Sequence, residues 1–135
     1  MTKISQLHQF ILNLNLFAAE QMDSFIDDLT VTPACRPTSI AGELLIAEKD
    51  YTATFFIERY PHGLVSADQL IAHIGTWLIE NDPNRLEPVI FDIVVDVLDS
   101  ATANLEFRVA FYEQILATET PGGAVRYNGL EYALL

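Results

Sequence analysis

Basic residues are scarce in this sequence. Seven Lys and Arg stand singly among 19 Asp and Glu, for a formal net charge of −12. Without a basic stripe to neutralise phosphates, the composition argues against binding to nucleic acid or to an anionic membrane. The acidity favours solubility, or a basic partner. Cysteine is reduced to Cys35, which rules out an intrachain disulfide and fits a reducing compartment. No apolar run reaches the ~18 residues of a membrane span. The first residues lack the pattern of a secretory signal. Internal repeats and low-complexity segments are absent. What is present is apolar substance: half of the 135 residues are hydrophobic, enough to fill the core of one domain spanning 1–135.

The clearest local signal lies in residues 64–83. Ser66 is a good helix N-cap, Gln69 three residues on completes a capping box, and Asp68 suits the positive end of the helix dipole. Leu70, Ile71, Ile74, Trp77 and Leu78 form one apolar stripe, and Pro83 stops the helix. The spacing predicts a core helix over 66–80. A second helix is expected over 3–13, with Thr2 as cap and Ile4, Leu7, His8, Ile11 and Leu12 on one face. A short helical turn is expected near 17–22, followed by a strand over 24–32. The prolines in residues 33–39 predict a loop, the best candidate for a flexible arm, carrying Cys35 and Arg36.

From Glu43 to Tyr60 the period becomes two, interrupted by Glu48, Lys49 and Asp50, which predicts a hairpin or one long bent strand. Residues 61–63 turn into the central helix, and 84–88 form a connector. Phe91, Ile93, Val95 and Val97 predict the core face of a strand, with Asp92 and Asp96 on the other face. After a turn at 99–102, Leu105, Phe107, Val109 and Phe111 predict a returning strand. Core-to-core pairing puts Val97 opposite Leu105 and Arg108 diagonal to Asp92 and Asp96. Residues 115–120 extend that strand, 120–123 turn, and 124–127 read as a short edge strand. Another turn follows at 128–129, and 130–135 form an apolar end that wants a docking surface. The fold class expected is α+β: two main helices against an antiparallel or mixed sheet.

No constellation carries chemistry. His8, His62 and His73 are not spaced as metal ligands. Cys35 would need a histidine beside it in space to be a nucleophile. Gly122-Gly123 lacks the strand–turn–helix context of phosphate binding. The pairs Asp27/Asp28 and Asp92/Asp96 arise freely in so acidic a chain, and Trp77 reads as core. Catalytic, metal and cofactor sites are therefore expected to be none.

The run Glu48-Lys49-Asp50-Tyr51-Thr52, the helix end Trp77-Leu78-Ile79-Glu80-Asn81-Asp82-Pro83, and Phe91-Asp92-Ile93 with the hairpin through Phe107 and the stretch 113–119 resemble the phage tail completion protein R (GpR) family of contractile-tailed temperate phages. The likeness spans about residues 25–120. Thr76 stands where the family has Ala, and the 33–39 segment is longer than the family pattern.

The resemblance implies a tail-terminator-like fold and a structural, non-catalytic part in finishing tails at the head-proximal end. It implies partners among tail subunits at the top of tube or sheath and head–tail connector proteins, and a homo-oligomeric ring. The implied location is the host bacterial cytoplasm during assembly of a phage or prophage, then the virion tail. A ring needs two complementary patches. The candidates are Arg36 on the proline-rich segment, Asp92, Asp96 and Arg108 on the sheet face, and Leu130, Tyr132, Leu134 and Leu135 in a C-terminal interaction tail over 128–135. The alternative reading is an acidic binding or inhibitor protein that mimics nucleic acid.

Overall fold

A computed structural model of the chain describes residues 1–82 and 90–135. In chain order come helix α1 (Thr2–Asn13), a 3-10 turn (Ala19–Gln21), strands β1 (Met22–Pro37) and β2 (Glu43–Tyr60), and helix α2 (Ala67–Asn81). Strands β3 (Phe91–Val97), β4 (Ala103–Glu119), β5 (Val125–Tyr127) and β6 (Leu130–Leu134) follow. The class is α+β, two helices with an antiparallel six-stranded sheet. Hydrogen-bonded neighbours run β1-β2-β4-β6-β5, and β3 also pairs with β4. The chain divides into two units: Met1–Asp28 with Tyr51–Phe111, and Leu29–Asp50 with Tyr112–Leu135.

In the first unit, alternation on the strands and the helical stripes converge on one core. Tyr51, Ala53, Phe55 and Ile57 of β2 and Leu105, Phe107, Val109 and Phe111 of β4 are buried with Ile4, Leu7 and Ile11 of α1 and Leu70, Ile74, Trp77 and Leu78 of α2. Each large aliphatic or phenylalanine side chain among them contributes roughly 1.5–3 kcal/mol. The rings of Phe55 and Phe107 stack at 4.8 Å, and Phe10 lies 6.2 Å from Trp77. Ser66 caps α2 as expected, its Oγ accepting from the Gln69 N–H at 3.3 Å. Thr2 does not cap α1. It is the first helical residue, and the N-cap Met1 makes no side-chain bond. The expected stop at Pro83 and the connector over 84–88 lie outside the described residues.

The β3–β4 hairpin differs from expectation in register. Val97 stands opposite Ala103 and Val95 opposite Leu105. The cause is a tight turn: Asp99 Oδ1 accepts from the N–H groups of Ala101 and Thr102, which closes the hairpin two residues earlier. A shift of two keeps each side chain on its expected face. The expected core face is only half realised, however. Phe91 and Ile93 pack against the core, whereas Val95 and Val97 are exposed, because β3 has a strand neighbour on one side alone among the described residues.

The second unit is a sheet with a small core of Leu44, Ala117 and Tyr132, against which Ile46 and Val125 pack. The loop and flexible arm expected over 33–39 are corrected here: β1 continues to Pro37, because an edge strand tolerates prolines at positions without a ladder donor. The turn into β2 uses the left-handed Gly42 (φ 78°), and Thr38 Oγ1 donates to Glu43 Oε1 at 2.8 Å. β2 resolves the open choice at residues 43–60 as one continuous strand. The C-terminus is no free tail. Leu134, Ala133 and Tyr132 pair with Ala117, Thr118 and Glu119, and Leu130–Leu134 also pairs with β5.

Candidate assembly surfaces

On the first unit, Asp92 of β3 faces Arg108 of β4 across the ladder, Val94 faces Glu106, and Asp96 faces Asn104. Arg108 is therefore opposite Asp92 and not diagonal to both aspartates, a consequence of the shifted register. Asp92, Asp96 and Arg108 are all exposed. Exposed opposite charges of this kind contribute about 0–1 kcal/mol and leave their heads available to another protein. Sequence reasoning missed the apolar company they keep. Ile90, Val94, Val95, Val97 and Leu98 are all exposed. The signal was the Val94-Val95 doublet, which breaks strict alternation and puts an apolar residue on the acidic face.

On the second unit, Arg36 is exposed and its Nη2 donates to Glu48 Oε1 at 3.3 Å. The same oxygen accepts from the Tyr112 hydroxyl at 2.9 Å, and Gln114 Nε2 donates to that hydroxyl at 3.3 Å. Desolvation first, and then the neighbouring Glu48 and Asp50 carboxylates, push the Tyr112 hydroxyl above its ordinary pKa. Of the C-terminal candidates, Leu130, Leu134 and Leu135 are exposed. Tyr132 is not, at 8% exposure; it packs in the core of its own unit.

The three histidines are dispersed. His8 Nδ1 lies 2.7 Å from Ser24 Oγ, in an open depression of about 540 Å³ lined also by Met1, Ile4 and Phe25. His62 Nε2 lies 3.0 Å from the Asp99 carbonyl oxygen, and His73 is half-buried on α2. Among the described residues no group of three His, Cys, Asp or Glu side chains is placed to hold a metal ion. Among the same residues no helix is long and apolar enough to cross a membrane. What the described surface offers is contact area: exposed strand edges, apolar side chains and carboxylates.

A Haemophilus phage HP1 protein, described as an uncharacterized 19.2 kDa protein in the rep-hol intergenic region, is 33% identical over 91 residues, which is 66% of this chain and 55% of that protein. Polyamine aminopropyltransferase 2 of Pseudomonas aeruginosa is 38% identical over 65 residues, 48% of this chain but 18% of that enzyme. The chain thus spans about half the length of the phage relative and under a fifth of the enzyme. No solved structure matches. The model of the P2 phage tail completion protein R (GpR) family matches residues 1–134, nearly the whole chain. With that match, and with a phage protein among its relatives, the chain belongs to the P2 phage tail completion protein R family, a family of structural tail-assembly proteins.

Proposed function

We propose that the chain is a terminator-type subunit that completes the tail at its head-proximal end, by protein–protein contact and without catalysis. Its partners on this reading are the top of the tail tube or sheath and the head–tail connector proteins. Copies assemble there as a closed ring, so that the protein passes from the host cytoplasm into the virion tail. The observation that carries the reading is the family match over residues 1–134. The exposed charged side chains of Asp92, Asp96 and Arg108 and the exposed apolar ones of Leu130, Leu134 and Leu135 support it as contact surface. A heterologous ring contact needs two unlike patches, and one lies on each unit.

The test is complementation of a phage or prophage deleted for this gene. Without the chain, filled heads and unjoined tails are expected by electron microscopy, and purified wild-type chain restores joining. Leu134→Asp with Leu135→Asp should remain folded, because both side chains are exposed, and should fail to complement. Full complementation by that variant would remove the C-terminal strand from the interface. Normal joined virions without the gene would sink the reading altogether.

A further inference from the structure

An edge strand presents a row of unpaired N–H and C=O groups, and proteins ordinarily blunt it with lysine, proline, a bulge or a cover. Among the described residues β1, β5 and β3 each have a strand neighbour on one side only, and β1 and β3 are treated differently. β1 carries Pro33 and Pro37, and its backbone turns left-handed at Asp28 (φ 52°) and Cys35 (φ 46°). β3 carries none of these devices. It pairs with β4 in an unbroken one-to-one register from Phe91 to Val97, with no lysine and no proline in the strand. Its far edge has no strand partner among the described residues. It also exposes Val94 (60%), Val95 (47%) and Val97 (61%), so both faces offer apolar surface beside the open ladder. An unprotected, flat, apolar edge is a template for strand addition.

Charge decides what can occupy it. A second copy of β3, added antiparallel and centred on Val94, would oppose Asp92 of each copy to Asp96 of the other. Like charges directly opposite destabilise a pair. Sliding by two residues sets Asp96 against Val94 and shortens the overlap. The β1 strand of another copy brings Asp23, Asp27 and Asp28 against the same aspartates. The chain as a whole is at −12. Along β3, the outward face reads Asp92, Val94, Asp96, with Glu106 across from Val94 and one cation, Arg108, across from Asp92. We infer that the free edge of β3 (Phe91–Val97) takes, by β-strand addition, an extended segment of a different protein that alternates Lys or Arg with β-branched apolar residues. The basic positions meet Asp92, Asp96 and Glu106, while the apolar positions continue the row of Ile93, Val95 and Val97. This inference shares Asp92 and Asp96 with the ring contact proposed above but needs only the edge and its charges.

The test uses the full chain and synthetic peptides of about nine residues, alternating Lys with Val, Glu with Val, or Lys with Val bearing N-methylated alternate amides. Anisotropy should show the Lys–Val peptide binding at least about 10-fold tighter than the other two. Alternate amides of residues 91–97 should gain hydrogen-exchange protection in the complex. Val95→Lys, a gatekeeper at a half-exposed position, should weaken binding about 10-fold, whereas Thr30→Lys on β1, of equal charge, should not. Circular dichroism melts confirm that both variants are folded. Equal binding of the N-methylated peptide would reduce the edge to a charged surface and overturn the inference. So would concentration-dependent dimers of the chain that Val95→Lys dissolves, since a second copy would then be the occupant.

Discussion

Lys3 in the first turn of α1 donates through Nζ to the carboxylate of Asp82, the C-cap of α2, and both side chains are withdrawn from water (13% and 1% exposed). One ion pair therefore ties the start of the first helix to the end of the second. A buried pair costs much of its attraction in desolvation, but removing one member strands the other. Lys3→Met is expected to destabilise by about 3–5 kcal/mol, the range for breaking a buried pair. The double variant Lys3→Met with Asp82→Leu should recover part of that loss. Chemical denaturation of the three proteins checks this, and a double variant no better than Lys3→Met would show that the pair is not buried as a unit.

Arg59 sits with φ at 54°, a conformation that costs an L-residue roughly 1–2 kcal/mol. Its N–H donates to Asn104 Oδ1 at 3.0 Å, and Gln21 Nε2 donates to its carbonyl at 3.2 Å. The left-handed residue breaks the period of two, so that Tyr60 follows Ile57 into the core and gives its hydroxyl to the Ser66 carbonyl at 3.3 Å. Burial holds the Tyr60 hydroxyl above its ordinary pKa. Arg59→Gly keeps every backbone bond and removes the strain, against about 0.4–1 kcal/mol of added freedom in the unfolded chain. A gain of up to about 1 kcal/mol in denaturation is expected. Arg59→Val should lose stability instead, since a β-branched residue is poorly accommodated at positive φ.

Local patterns carried the fold where one period dominated. The stripe from Leu70 to Leu78 and the alternation from Leu105 to Phe111 gave helix and strand because burial on one face is written directly into spacing. Three features were not legible, each for a physical reason. The length of β1 past Pro33 depends on its being an edge, which is a property of topology. The register of β3 depends on which backbone groups Asp99 captures in the turn. The pairing of Lys3 with Asp82 joins residues 79 apart that only the packed helices bring together. Of the candidate surface, the charged residues were readable as charges and Val94 shares their face, but the exposure of Val95 and Val97 was not readable. Valines on a predicted strand are assigned to a core by default, and only the missing neighbour strand reveals otherwise.

Gly123 has no room for a side chain. A Cβ there would lie 2.3 Å from the carbonyl carbon of Tyr132, 2.4 Å from its oxygen and 2.8 Å from the Ala133 nitrogen. These are backbone atoms of β6, so no rotamer change relieves the clash. Gly123→Ala should destabilise the second unit by about 1–3 kcal/mol or more, as overpacking does. Hydrogen exchange would show it as lost protection over Leu130–Leu134, with residues 105–111 unchanged. Gly75 in α2 is the contrast: nothing lies within 4 Å of its would-be Cβ, and Gly75→Ala should stabilise by about 0.5–1 kcal/mol.

Asp99 closes the β3–β4 turn through its carboxylate. Its Oδ1 accepts from Ala101 N at 2.8 Å, Thr102 N at 2.7 Å and Thr102 Oγ1 at 3.0 Å. The backbone bond from Ala101 chiefly, then the two from Thr102, with a smaller part from His62, hold its pKa below the ordinary aspartate value. Because the folded pKa is depressed, the unfolded chain binds the proton more readily, and stability rises with pH through that window. The contribution is complete above the unfolded value and lost as pH falls through the folded one. Asp99→Ala should therefore lower the melting temperature most at neutral pH, with the gap to wild type closing below the ordinary carboxylate range. A gap that stays constant from neutral to acid would mean that the turn is held by its backbone alone, and that the carboxylate's charge has no part in setting the register of Asp92 against Arg108.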